Sequence, residues 1–312
     1  MRFLNASFAV VLVSWAVPAL AQNAAPTATP PVAPSDSNVV FGNVGNAALL
    51  MDVFRPAQPN GLGILFISGS GWGGVSSYTH EYDDTPLKND ARSSAGYEGR
   101  LVQGLVTRGY TVFAINHRFA PEVKFPAPVY DAQRAVRFVR ANAAQYGVDP
   151  ARLGAIGHSS GAHLAAMLGV VDTTIDNPKD LPAQRGSSKV QAVVTIAAPF
   201  VVTGILLTRP ANVRIVSNFI GALPERAGDG TLPLSGIAAL ASPLTHVSGQ
   251  TAPFLMYQAE NDSTVLKTSA PQMAERLTAV GVPNRLVMLP SGGHAPKYDL
   301  NEIDAWFRRY LK

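Results

Sequence analysis

The sequence predicts an α/β fold, a mostly parallel central sheet flanked by helices, on three observations. From about residue 47 onward, short apolar runs alternate with stretches of helical periodicity, the signature of βαβ units. With 47% hydrophobic and 15% charged residues over 312 positions, the chain can bury one large core. No internal repeat recurs at a fixed period, which argues against solenoids and propellers.

The first residues read as an address. Arg2 precedes the apolar run Phe8 to Val17, and Pro18 then leads into the small-residue site Ala19-Leu20-Ala21. This is the pattern of a secretory signal peptide over residues 1–21, and the run is too short to span a bilayer. Export, to the medium or a periplasm, is the expectation, with no stable membrane insertion once the signal is removed. Residues 22–37, QNAAPTATPPVAPSDS, have almost no large apolar side chains and read as a disordered Ala/Pro-rich leader. The domain is expected over 38–312.

Within it, strands are expected at Ala48–Val53, Gly63–Ile67, Thr111–Asn116, Leu153–Gly157, Val190–Ala197, Pro253–Ala259 and Arg285–Leu289. The clearest helix runs from about Val129 to Tyr146. Ala132, Ala135, Val136, Val139, Ala143 and Tyr146 lie on one stripe, Arg134, Arg137 and Arg140 lie away from it, and Gly147 is the stop. Further helices are expected over Glu98–Arg108, Val265–Val280 and a C-terminal stretch with Leu300, Ile303, Phe307 and Tyr310 on one face. Residues 200–249 are punctuated by Pro and Gly and read as a cap-like insertion over one end of the sheet.

Composition narrows the function. The formal charge is +4, but Lys and Arg are scattered and form no basic run, so no nucleic-acid partner is expected. Zero cysteine excludes thiol catalysis and thiolate metal sites, and it suits an exported protein whose core is large enough to need no disulfide.

The stretch ILFISGSGWGG, residues 64–74, admits two readings. Gly69, Gly71 and Gly74 match a G-x-G-x-x-G dinucleotide fingerprint after a strand. The same glycines could form a turn whose backbone N–H groups stabilise an oxyanion. The fingerprint needs a helix starting inside the glycine run and an acidic residue about twenty positions on, at the end of the next strand. Instead VSSYTHEYDDTPLKNDARSSAG follows, polar and without periodicity, so no cofactor is expected.

Residues 153–161, LGAIGHSSG, carry a strand into Gly157-His158-Ser159-Ser160-Gly161, a G-x-S-x-G. A nucleophile on a sharp strand-to-helix turn requires glycine two residues to either side, because a side chain there would meet neighbouring backbone. A serine hydroxyl also needs a base, and the base an orienting carboxylate. The strand ending at Ala259 leads into Glu260-Asn261-Asp262, and the strand ending at Leu289 leads into Pro290-Ser291-Gly292-Gly293-His294. Both loops follow strand C-terminal ends, where ligands gather in open α/β sheets. The candidates are therefore Ser159 as nucleophile, His294 as base and Asp262 as acid, with Glu260 as the fallback acid.

With these residues the chain resembles the α/β-hydrolase superfamily from about residue 45 onward, and within it the secreted carboxylesterases that include acetyl-xylan and feruloyl esterases. INHRFAPEVKFPAPVYDAQRAVRFVRANAAQYGVDPARLGAIGHSSGAHLA is similar to that family's block leading into the nucleophile, and SPLTHVSGQTAPFLMYQAENDSTV to the block carrying its acid. The resemblance implies a mostly parallel sheet and an acyl-enzyme mechanism. It also puts Ser68-Gly69-Ser70-Gly71-Trp72 at the family's His-Gly-Gly-Gly-Trp oxyanion loop, with Ser68 for the histidine and Ser70 for the middle glycine. The expected oxyanion donors are the amides of Ser70, Gly71 and Ser160.

Other residues have duller readings beside the functional one. Trp72 and His158 are candidates for substrate contact; Trp72, with Tyr78 and Phe219, could instead pack the insertion, and His158 and His163 could pack under the nucleophile turn. Asp262 could cap a helix near Thr264, and Asp131 is expected to start the long helix. His80-Glu81-Tyr82-Asp83-Asp84 fits no metal-site spacing and reads as a solvated loop, so no metal is expected. The expected function is cleavage of a small-molecule or carbohydrate-linked carboxylic ester. The same groups could serve a peptidase, amidase or acyltransferase, and a silent binding protein on this fold is the remaining alternative.

Overall fold

Five apolar segments of five or six residues, each bounded by turn residues, are too short for helices and too uniformly apolar for a solvated face. They therefore pair side by side as buried parallel strands. In the computed structural model, which describes residues 33–45, 47–73, 96–175, 184–207, 210–221, 234 and 236–312, they do so. The signal peptide, most of the leader, Tyr78 and the His80–Asp84 stretch lie outside the described residues.

The elements run β1 (Asp36–Val44), β2 (Ala47–Phe54), β3 (Gly63–Ile67), α1 (Tyr97–Val106), β4 (Thr111–Ile115), α2 (Ala127–Ala141), α3 (Ala143–Tyr146), β5 (Leu153–His158) and α4 (Ser159–Val170). A small hairpin, β6 (Thr174–Ile175) with β7 (Gly186–Ser187), precedes β8 (Ala192–Ile196). Then come α5 (Pro210–Ile220), α6 (Gly236–Leu240), β9 (Phe254–Ala259), α7 (Ser269–Ala279), β10 (Asn284–Leu289) and α8 (Leu300–Tyr310). Among the described residues the main sheet has eight strands in the order β1-β2-β4-β3-β5-β8-β9-β10. The β1–β2 and β2–β4 pairs are antiparallel and the other neighbours are parallel.

Alternation along the strands divides the core into two layers. In β3, Leu65 and Ile67 pack with α2, α4 and α7 on one face, while Ile64 and Phe66 pack with α1 and α8 on the other. The fold is thus a sheet between two helical layers, of α/β-hydrolase type.

Several expectations need correction. β1 was not foreseen; its first pair, Asp36 with Val53, begins two residues inside the expected leader. The long helix starts at Ala127 and breaks at Asn142, whose side-chain amide donates back to the Phe138 carbonyl and competes with the helical ladder. Two of the arginines that lie away from its apolar stripe are held by other parts of the chain. Arg137 is buried with its guanidinium on Thr173, and Arg140 donates to the carbonyls of Pro150, Ser187 and Lys189, because β7 and the segments beside it cover that side. Asp131 does not start the helix. It is fully buried in the second turn and binds the Arg118 guanidinium and the Arg118 N–H, anchoring the loop after β4. The stretch 200–249 contains two 3-10 turns, Val202–Leu207 and Pro243–His246, besides α5 and α6. Val202, Val216, Phe219 and Ala241 from this stretch join the core layer that holds Trp72.

Candidate active site

Parallel pairing brings the loops together. β5, β8, β9 and β10 are consecutive neighbours running the same way, so residues beyond their C-terminal ends share one edge. Ala259 pairs with Leu289, and the two loops that follow start level.

Ser159 opens α4 directly after β5, with φ at +54°, the left-handed region that a non-glycine residue adopts only when its surroundings force it. The force is steric. A Cβ on Gly157 would lie 2.5 Å from the Gly161 carbonyl carbon, and one on Gly161 would lie 2.1 Å from the Ile67 oxygen, so both positions admit only glycine. The turn is therefore held against the end of β3, leaving Ser159 half-buried and reachable from solvent.

The Ser159 hydroxyl donates to His294 Nε2 at 2.7 Å, and His294 Nδ1–H donates to Asp262 Oδ2 at 3.0 Å. The Asp262 carboxylate is fully buried. Its Oδ1 accepts from the Thr264 and Val265 amides, and Oδ2 also accepts from the Gln258 side chain at 3.1 Å. Burial alone would raise its pKa, but His294 and the two amides outweigh it and hold the carboxyl below its ordinary value. These amides also correct the expected helix start: Thr264 and Val265 turn their N–H groups to the carboxylate, and α7 begins only at Ser269. Asp262 thus caps no helix. Glu260 is exposed, with its amide on the Leu289 carbonyl. Asn261 Oδ1 accepts from the Gly293 amide at 2.9 Å and ties the two loops together.

The glycine run lies against this site. A Cβ on Gly69 would lie 2.9 Å from Ser159 Cβ and 2.9 Å from the His158 oxygen. Gly71 and Trp72 have φ of +64° and +59°, and Gly73 forms a bridge with Ala120, so this is a turn and not the start of a dinucleotide-binding helix. Of the three expected oxyanion donors, Ser70 needs correction: its N–H donates to Ser160 Oγ at 2.8 Å and is already committed. The Ser160 amide, in the first turn of α4, has no acceptor within the helix. Gly71 N–H makes no hydrogen bond among the described residues. These two donors and the positive end of α4 can receive a developing negative charge beside Ser159.

Trp72 and His158 do not offer themselves to substrate. Trp72 is fully buried, stacked on Phe219 at 4.1 Å, with its indole N–H donating to His163 Nδ1 at 3.0 Å. His163 donates its other ring N–H to the Ala241 carbonyl, and burial lowers its pKa to about 4. All three aromatic rings are core, as the packing alternative required. His158 has both ring nitrogens engaged, on Glu98 and on the His294 carbonyl. Glu98 escaped the sequence reading because an acidic residue in the first turn of a helix is commonplace on the surface; only its burial marks it out.

The comparisons agree with this architecture. Esterase LipC of Mycobacterium tuberculosis (strain ATCC 25618 / H37Rv) is 25% identical over 283 residues, 86% of this chain and 64% of that protein. Esterase LipQ of the same organism is 29% identical over 62% of this chain and 45% of that protein. The chain thus spans about half to two thirds of the length of these relatives. The solved structure of an acetyl ester-xyloside bifunctional hydrolase from Caldicellulosiruptor lactoaceticus superposes with a TM-score of 0.65 at 22% identity, covering 89% of this chain and 93% of that one, a likeness of fold. The BD-FAE family model matches residues 51–277, which include the glycine turn, Ser159 and Asp262. On that match, over most of its length and through the strand-turn-helix that bears Ser159, the chain belongs to the BD-FAE family.

Proposed function

We propose that this protein is a serine hydrolase that cleaves carboxylic esters through an acyl-enzyme. The observation that carries the reading is the hydrogen-bonded series from Ser159 through His294 to a buried Asp262 beside uncommitted backbone amides. His294 Nε2 takes the hydroxyl proton as Ser159 Oγ bonds the ester carbonyl carbon, and Asp262 stabilises the imidazolium that results. The carbonyl oxygen, now anionic, is received by the Gly71 and Ser160 N–H groups. As the carbonyl re-forms, the C–O bond to the alcohol breaks and His294 returns the proton to the departing alkoxide. Water then repeats the sequence on the acyl-serine and releases the carboxylic acid.

The names of the relatives, esterases and an acetyl ester-xyloside hydrolase, favour a small acyl group on an alcohol or sugar hydroxyl as substrate. Residues 1–21 act as an export signal, the residues between them and β1 as a leader, and 200–249 as a cap over the strand ends, so the protein works outside the cytoplasm. Among the described residues no helix is long and apolar enough to cross a membrane. The test is Ser159→Ala assayed on p-nitrophenyl acetate, with fluorophosphonate labelling of the wild type. Labelling at Ser159 and loss of essentially all turnover in the folded variant are expected. Retention of more than a few per cent of activity, roughly, would overturn the assignment.

A further inference from the structure

A second acid–imidazole pair stands behind the first. Glu98 Oε1 accepts from the Gly69 amide at 2.9 Å and from His158 Nδ1–H at 2.9 Å. His158 Nε2–H donates to the His294 carbonyl oxygen at 2.7 Å. A carboxylate and a carbonyl only accept, so both ring nitrogens must carry protons, and the two bonds together require the imidazolium. Burial opposes that charge. The hydrogen bond and charge of Glu98, the His294 carbonyl and the charge of Asp262 outweigh burial and raise the His158 pKa. Among the described residues, the other titratable groups against the ring are His294, 5.2 Å away between centroids, and Tyr97, edge-on at 5.3 Å. Tyr97 donates its hydroxyl to the Pro296 carbonyl and accepts the Tyr298 hydroxyl on its own carbonyl, so the start of α1 grips the His294 loop at several points.

We infer that Glu98 and His158 are positioning residues for the ester cleavage proposed above, a carboxylate–imidazolium pair that clamps the His294 backbone to both the nucleophile turn and the glycine turn. The inference rests on Ser159 and His294 acting as nucleophile and base. Two physical consequences follow from the pair. His158 immediately precedes Ser159, so its bond to residue 294 sets the distance between nucleophile and base, and misplacement by about 1 Å can cost on the order of a hundredfold in rate. Glu98 alone, bonded to an amide of the glycine turn, would oppose negative charge forming nearby; with protonated His158 the pair is neutral. When His158 loses a proton it can donate to one partner only, and the carboxylate charge is no longer balanced. Activity is therefore present in the protonated form and lost as pH rises through the His158 pKa. The loss falls on kcat with KM little changed, because the oxyanion exists only beyond the ground state.

The test uses the wild-type protein, Glu98→Gln, His158→Gln and the double variant, with kcat and KM on p-nitrophenyl acetate across pH. Imidazole 15N shifts of the wild type are read alongside. The glutamine at 98 keeps an oxygen for the Gly69 amide but no charge to hold the imidazolium. Expected are a doubly protonated His158 near neutral pH, an alkaline decline in kcat that moves at least about one pH unit toward acid in Glu98→Gln, and a plateau kcat lower by about tenfold or more. The double variant should be no slower than the slower single variant. A singly protonated His158 near neutral pH in the wild type overturns the inference without any variant. So do an unmoved pH profile in folded Glu98→Gln or losses that multiply in the double variant. Failure of Ser159 labelling overturns the underlying mechanism instead, and the two failures are distinct because the 15N state of His158 does not depend on turnover.

Discussion

Replacing Gly161 by alanine adds one methyl group and should cost both stability and rate. The new Cβ would lie 2.1 Å from the Ile67 oxygen, 2.5 Å from the Ser68 oxygen and 2.6 Å from the Ile67 carbonyl carbon. All three are main-chain atoms at the end of β3, so no rotamer change relieves the contact. Carbon approaches a carbonyl oxygen to about 3.3 Å, so α4 and β3 must part by roughly 1 Å. That separation stretches the Ser70 N–H to Ser160 Oγ bond, 2.8 Å in the native turn, towards the limit of hydrogen bonding. Overpacking costs about 1–3 kcal/mol and an unmade buried hydrogen bond another 1–3, roughly, giving a melting temperature lower by the order of 10 °C. Because Ser159 and the Ser160 amide ride on α4 while Gly71 lies on the turn after β3, the same shift pulls the nucleophile from its Gly71 oxyanion donor, and kcat/KM should fall on the order of a hundredfold. The assay is p-nitrophenyl acetate hydrolysis with thermal unfolding of the same sample. Gly204→Ala is the control, since its Cβ would meet nothing nearer than Leu266 Cδ1 at 3.7 Å, an ordinary contact. A folded Gly161→Ala protein with wild-type kcat/KM and melting temperature would refute the argument that this approach sets the site.

The acid is separable from its neighbour. Asp262→Asn should lower kcat by the order of a thousandfold or more, because the amide leaves His294 in the wrong tautomer and its imidazolium unstabilised, while Glu260→Gln should leave kcat unchanged; the reverse ranking in steady-state kinetics would reassign the acid. Stability should fall in mild acid through His163, which folding keeps neutral with its pKa near 4 against an unfolded value of about 6.5. The unfolded chain binds the extra proton first, so this contribution is complete above about pH 6.5 and is lost as pH falls towards 4, by at most about 1.4 kcal/mol per pH unit. Urea unfolding at several pH values measures the slope, and an identical slope in His163→Asn would show that His163 is not the group responsible.

What the sequence determined by itself is whatever rests on near-neighbour sterics and period. The strand limits Gly63–Ile67 and the G-x-S-x-G turn were legible because alternation, and the intolerance of Gly157 and Gly161 for a Cβ, act within a few residues. The candidates Asp262 and His294 were legible because the loops after parallel strands share one edge, whatever lies between them. Residues whose role depends on a partner far along the chain were not. Trp72 reads equally well as substrate contact or core until Phe219, 147 positions on, stacks on it. Asp131 looks like a helix start until Arg118 closes on it, and nothing near Arg137 in the sequence announces its bond to Thr173. Glu98 carries no local mark at all. Only folding puts its carboxylate, 60 residues from His158, between that ring and the Gly69 amide, and there burial turns an ordinary helix-start acid into the counterion of the residue that precedes Ser159.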